Sequence, residues 1–578
     1  MVRLSRARAA LQASYDVIVV GSGYGGGVTA SRLARAGKRV CVLERGREIL
    51  TGAFPSRFPD LKNELQVTGR MIRTGSPTGL LDIRLGDDVH VLVGCGLGGG
   101  SLVNAGVALE PDPRVFADAV WPGQIRQDGT LAAGFARARQ WLRPATHPNA
   151  AGFAKYATLN AQADALGHPM RATPCAITHA EGVNAAGIMQ GACTSCGDCF
   201  AGCNVGAKTT VALTYLPDAV RHGAEIYTQA RVRRVDKLAD GMWQVEVFVA
   251  DDPAGNDKSA SGTGLQHLTA PMVVLAAGSL GSTEILLRSA EGGLAVSDHL
   301  GGRFSANGDI IAFGYGIERE VNAIGVGHPP RVEGLQVGAA VTGQLDLEDP
   351  DTLAHELSIQ DGVLPSAIAP VLPMLFIPNG RILGALKSLV SGVYEGPFKH
   401  LQTYFAVSHD EAAGRFRLEE DRLMLSWPGA KDAAVYARLD RVLTEMAARS
   451  GGAYVKNPLA GSVMGHQPAT AHPLGGCPMG HDVTHGVVDH QGRVFDRSAG
   501  GTSVHHGLYV IDGAIIPRSL GVNPLLTITA LAERALMHIA DEHGFACDAS
   551  PVTGVRPTPA TEPGAVRAAR APVAGPRQ

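Results

Sequence analysis

The sequence predicts an α/β fold, α+β overall: a discontinuous parallel-sheet domain with inserted segments built on an antiparallel sheet flanked by helices. Three stretches carry this reading. Residues 15–44, YDVIVVGSGYGGGVTASRLARAGKRVCVLE, hold a short apolar β-branched run, a glycine-rich turn, a helical stretch and a second apolar run. That is the grammar of a buried parallel strand, a helix and its next strand. Residues 270–289, APMVVLAAGSLGSTEILLRS, repeat it more than two hundred residues later, so one sheet is built from distant pieces. Residues 415–427, RFRLEEDRLMLSW, read as a β-hairpin turning at Glu420–Asp421. Beyond it Val435, Leu439, Val442 and Met446 share one helical face that Gly451–Gly452 stops.

Taken in order, Asp16–Val20 is the first strand, Gly26–Ala36 its helix with Gly37 as the stop, and Arg39–Leu43 the second strand, ending at Glu44. Gly21-Ser-Gly23-Tyr-Gly25-Gly26 fits G-x-G-x-x-G between strand and helix. The first glycine permits the turn, the second lets a pyrophosphate approach the backbone, and the third lets the helix pack closely. Free N–H groups and the dipole at the helix start suit phosphate, and Glu44 is placed to accept ribose hydroxyls. This is a Rossmann-like dinucleotide site. A second block, VGCGLGGGSLVNAG, has six glycines in the thirteen residues from Gly94 to Gly106. So much flexible backbone is costly unless it lies against a large flat cofactor, which favours FAD over NAD.

Composition bounds the rest. At 578 residues the chain exceeds one simple core. Its net charge of −3 marks no nucleic-acid binder. The N-terminus MVRLSRARAALQAS lacks an apolar signal region, and no apolar run is long enough to span a membrane, so a cytoplasmic enzyme is expected. Residues 363–395 are unusually apolar yet broken by Pro365, Pro370, Pro373 and Pro378. They read as a loop folded on the core, or as a lid over a lipophilic substrate with peripheral membrane contact.

Five motifs, VVGSGYGGGVTASRLA, VGCGLGGGSLVNAG, LAAGSLGSTEILLRS, AHPLGGCPMG and GLYVIDGAIIPRSLGVNPLLTITALAER, occur in this order across most of residues 15–540. By them the chain resembles the glucose-methanol-choline (GMC) flavoprotein oxidoreductases, on their cholesterol oxidase-like branch. The resemblance implies an FAD-binding domain of glutathione-reductase type in residues 14–110, 204–310 and 465–545. Residues 111–192 and 311–464 would form the substrate domain and cap, with a flexible 1–13 and a disordered 546–578. It also implies that Tyr24, Gly98, Gly99, Ser101, Asn104 and Gly106 meet the flavin nucleotide. Ala277, Gly278, Asp512, Gly513, Asn523 and Pro524 would complete that site.

The implied reaction oxidises a bulky, sterol-like alcohol, passing electrons to dioxygen or to an acceptor protein or quinone. Losing the hydroxyl proton needs a group of near-neutral pKa, for which histidine is suited. His472 in HPLGGC is the candidate base. Asn523-Pro524 opens a helix as cap and first residue, and the resemblance adds that Asn523 orients substrate beside His472. A glutamate projects into the site in that branch; here LSIQDGVLP offers Gln360 or Asp361, which puts steroid isomerisation in doubt. Two other readings are a hydroxynitrile-lyase-type enzyme with structural FAD and an electron-transfer flavoprotein.

Residues 193–203, CTSCGDCFAGC, place Cys193, Cys196, Cys199 and Cys203 in the C-x2-C-x2-C-x3-C spacing of bacterial ferredoxins. In ferredoxins the fourth cysteine serves another cluster, so spacing leaves an iron-sulfur cluster, zinc or bare structural thiols open.

Overall fold

The computed structural model describes residues 2–249, 264–376, 392–457 and 467–556. Residues 377–391 of the expected lid and 557–578 of the expected tail lie outside them.

The first strand is Val17–Val20 and the second Val40–Leu43, both fully buried. Their β-branched residues face protein on both sides, as a parallel sheet covered by helices requires. The six-stranded sheet runs Glu225–Tyr227, Val40–Leu43, Val17–Val20, Met272–Leu275, Val504–Val510, Arg493–Phe495. All its neighbours are parallel except the last pair. The distant repeat thus joins the first strand directly, with Val17 opposite Met272. Helix Tyr24–Arg35 begins two residues before the expected start, inside the glycine motif.

A second six-stranded sheet is antiparallel throughout, in the order Ala453–Lys456, Ile310–Tyr315, Leu401–Ser408, Leu357–Gly362, Gly343–Leu347, Met170–Ala172. Helices Ala154–Leu166 and Ala434–Arg449 cover one face, where Leu159, Ile359, Tyr404, Leu439 and Met446 pack. The hairpin is Arg415–Glu419 and Arg422–Ser426; Glu420 and Asp421 both have positive φ, as a type I′ turn demands. A five-stranded sheet pairs Ala469–Thr470 with His90–Gly94, so it holds the His472 loop beside the glycine-rich block that starts at Gly94.

Three expectations need correction. The N-terminus is anchored: the Glu48 carboxylate accepts from Leu4 N (2.7 Å), Ser5 N (3.2 Å) and Ser5 Oγ (2.6 Å), and Leu4 is buried. The start of the tail is tied down as well, Val552 N donating to Ala185 O and Arg556 N to Gly187 O. Within 111–192, helix Thr130–Leu142 packs on helix Leu525–His543 of the parallel-sheet domain, and Trp141 stacks on Tyr215. Only 154–172 joins the second sheet.

The described part of the apolar segment, Ser366–Phe376, folds onto that sheet, with Ala369, Leu372 and Phe376 packed against Phe313 and Phe398. Among the described residues no helix is long and apolar enough to cross a membrane.

Candidate active site

Where the first strand ends, backbone packing dictates the glycines. A Cβ on Gly21 would lie 2.3 Å from Ala276 O, on Gly25 1.7 Å from Ile511 O, and on Gly26 2.1 Å from Gly21 O. A Cβ on Gly23 would meet nothing within 4 Å. The neighbouring glycines close the strand ends and helix together, while Gly23 borders open space at the helix mouth, where a pyrophosphate fits.

Glu44 ends the second strand and is buried, accepting from Ser22 N (3.1 Å), Ser22 Oγ (2.6 Å) and Gly46 N (2.7 Å). Burial raises its pKa, against those donors. Ser22 Oγ in turn accepts from Gly98 N at 2.9 Å, tying the two glycine-rich loops together. A Cβ on Gly99 would stand 2.8 Å from Gly23 Cα, so the second loop lies directly on the first. Ser101 Oγ donates to Gly98 O, and Asn104 Nδ2 to Tyr24 Oη at 2.8 Å; Asn104 Oδ1 accepts from Gly106 N. On the other side Asp512 accepts from Gly278 N (2.8 Å), Ser282 Oγ (2.6 Å) and Ala514 N (2.8 Å), which orders the turn through Ala277, Gly278 and Gly513. Burial raises the Asp512 pKa. The residues present fit a flavin dinucleotide.

His472 lies between two groups. Its Nδ1 is 2.8 Å from Asp309 Oδ1, while Asp309 Oδ2 accepts from Thr470 Oγ1 (2.7 Å), Ala471 N (3.0 Å) and His472 N (3.1 Å). A carboxylate accepts, so in the neutral form of the ring Nδ1 carries the hydrogen and Nε2 is left as the acceptor. Nε2 faces Asn523 Nδ2 at 3.4 Å, and Asn523 Oδ1 accepts from Gln360 Nε2 at 2.6 Å. Asn523 therefore does not cap its helix. The helix starts at Leu525, Pro524 stands at its N-cap without a side-chain bond, and both ends of the Asn523 amide face the site.

The GMC oxidoreductase profile matches residues 15–306 in its N-terminal part and 432–532 in its C-terminal part. The chain belongs to the GMC oxidoreductase family. It is 28% identical to a cholesterol oxidase of Mycobacterium tuberculosis (strain ATCC 25618 / H37Rv), covering 91% of both chains. It is also 28% identical to a cholesterol oxidase of Acinetobacter baumannii, covering 92% of this chain and 95% of the relative. A long-chain-alcohol oxidase of Arabidopsis thaliana, FAO1, is 26% identical over 89% of this chain and 65% of its own length. Among solved structures, a fungal aryl-alcohol oxidase superposes with TM-score 0.58 at 16% identity, covering 92% of this chain and 100% of the other. Pyridoxine 4-oxidase superposes with TM-score 0.55 at 17% identity, covering 91% and 99%; both show the shared fold. This GMC oxidoreductase is an FAD-dependent enzyme of the alcohol oxidase and dehydrogenase kind.

In this family member the strand Leu357–Gly362 separates the two substrate candidates. Side chains alternate faces, so Gln360 reaches Asn523 while Asp361 points back under the covering helix. The fully buried Asp361 carboxylate meets Lys155 Nζ at 3.1 Å and accepts from Thr342 N and Gly343 N, both at 2.7 Å. Of the two candidates only Gln360 therefore faces Asn523, and Asp361 serves the sheet. Sequence reasoning missed Asp309, because an acid 163 residues from its histidine leaves no local pattern, and Thr470, whose part shows only through its bond to Asp309.

The four cysteines of this GMC oxidoreductase line one cavity, together with Lys208 and Ala339. The fourth cysteine, ambiguous by spacing, faces the same space as the others. Lys208 is buried and donates at 2.8 Å to Leu102 O, Asn104 O and Cys199 O, binding the cysteine loop to the flavin-side loop.

Proposed function

We propose that this GMC oxidoreductase oxidises a bulky, lipophilic, sterol-like secondary alcohol to a ketone. FAD, when bound, supplies the hydride acceptor. The observation that carries the proposal is the bare His472 Nε2 facing Asn523, with Asp309 fixing the opposite nitrogen. His472 Nε2 accepts the hydroxyl proton; Asp309 holds the ring in that tautomer and offsets its positive charge once protonated. Gln360, by donating to Asn523 Oδ1, leaves Asn523 Nδ2 turned towards the reacting oxygen. The similarity to cholesterol oxidases supports the substrate class.

No described carboxylate on the strand Leu357–Gly362 faces the site, so an unconjugated sterol ketone would leave without double-bond migration. Dioxygen takes the electrons, or a protein or quinone acceptor does so through an iron-sulfur centre on Cys193, Cys196, Cys199 and Cys203.

The test is anaerobic addition of a 3-hydroxysterol, a long-chain primary alcohol and an aryl alcohol to flavin-loaded protein. Rapid flavin bleaching by the sterol, with ketone formed, is expected. Bleaching by the primary alcohol alone would move the substrate class, and bleaching by no alcohol would overturn the oxidation reading.

A further inference from the structure

The cysteine loop is shaped around its sulfurs. Ser195, a non-glycine residue, holds a φ of +57°, and Gly197 and Gly202 hold +81° and +105°. A Cβ on Gly202 would stand 2.1 Å from Phe54. These turns bring Cys193, Cys196, Cys199 and Cys203 to one cavity. None of them forms a disulfide.

Each sulfur also receives a backbone amide. Ser195 N donates to Cys193 Sγ (3.4 Å), Ala340 N to Cys199 Sγ (3.4 Å) and Lys208 N to Cys203 Sγ (3.5 Å); the Asp198 amide serves Cys196. Four amides on four sulfurs, with the Lys208 chain folded alongside, are donors placed as metal-bound sulfurs would use them.

The spacing separates the candidate metals. Among the described residues, the only three ligand-bearing side chains within 4.8 Å of one another are Asp128, His490 and His538. Arg534 already bridges that trio, donating to Asp128 and to His490 Nδ1. The ferredoxin spacing, with all four cysteines lining one cavity, points to a polynuclear cluster.

We propose that Cys193, Cys196, Cys199 and Cys203 ligate a single cubane iron-sulfur cluster. Its position, though not its ligation, rests on the flavin reading. Lys208 joins Cys199 O to the flavin-side carbonyls of Leu102 and Asn104, and Cys199 shares an apolar cluster with Ala105 and Val522, neighbours of Asn104 and Asn523.

The test is iron, zinc, acid-labile sulfide and flavin content of the full-length protein purified anaerobically, with an EPR spectrum after dithionite reduction. About four iron and four sulfide per chain, and a paramagnetic signal on reduction, are expected. Cys196→Ser should lose most of that iron and sulfide, while Cys547→Ser keeps it. If Cys196→Ser does not fold, the metal count of the unaltered protein decides alone. About one zinc without sulfide, or flavin-loaded protein with neither metal nor sulfide, overturns the proposal. Iron and sulfide in protein that takes up no flavin would support the cluster and sink the flavin reading instead.

Discussion

Asp309 holds His472 at two points, accepting from the ring Nδ1 at 2.8 Å and, through its other oxygen, from the main-chain N–H at 3.1 Å. One carboxylate thus sets both the tautomer of the ring and the path of its loop. Asp309→Asn keeps the shape but can donate to Nδ1, which would move the hydrogen to Nε2 and remove the base. We expect kcat to fall by about 100- to 10,000-fold, the range of a lost proton acceptor, with KM and flavin content little changed. Steady-state kinetics with flavin absorbance decides it; an unaltered kcat would remove Asp309 from the mechanism.

Gln360 is a positioning residue, acting on substrate through Asn523. Gln360→Leu removes the donor to Asn523 Oδ1, so the amide loses its preferred orientation. A loss of about 1–2 kcal/mol in transition-state binding, roughly ten-fold in kcat/KM, follows from one buried hydrogen bond. Gln360→Glu should restore no orientation, since an ionised carboxylate cannot donate. Equal kcat/KM for the parent and both variants would dismiss the role.

The glycine loop yields a paired test. Gly25→Ala drives a methyl into Ile511 O and should cost about 3 kcal/mol or more, read as a large fall in Tm. Gly23→Ala meets no protein atom, so the apoprotein should fold with near-parental Tm and lose FAD affinity. Parental FAD affinity in Gly23→Ala would place the pyrophosphate elsewhere.

Asp361 and Lys155 form a buried pair away from the reacting groups. Asp361→Asn strands the ammonium and should cost about 3–5 kcal/mol, measured by denaturant unfolding. The double replacement Lys155→Met with Asp361→Leu should recover much of that loss. A stable Asp361→Asn protein with impaired catalysis would return Asp361 to the substrate site.

Acid should destabilise the fold through its buried and half-buried histidines. Burial, and then the Arg518 charge, push His409 down to about 4. His147 and His490 are also pushed down to about 4, burial being the main cause for each. Between about pH 6.5 and 4 the unfolded chain binds protons that the folded chain refuses, so this contribution is complete above the unfolded value and is lost as pH falls. Tm measured across that window should drop, and His409→Gln should flatten part of the slope. A pH-independent Tm would show that these rings do not control stability.

The sequence by itself determined the features written over a few consecutive residues. The strand–glycine–helix unit at Val17–Arg35, the hairpin turning at Glu420–Asp421 and the ferredoxin spacing of the cysteines are of this kind. Backbone preference, side-chain alternation and ligand reach act over that range. Tertiary structure decided what depends on contacts between distant segments: that Asp309 orients His472, that Gln360 and not Asp361 reaches Asn523, that Glu48 anchors Leu4 and Ser5, and that Cys203 joins the other cysteines at one cavity. Hydrogen bonds and ion pairs made across a hundred residues or more depend on how sheets pack and which strand face is covered. That information belongs to the assembled core, and no local pattern carries it.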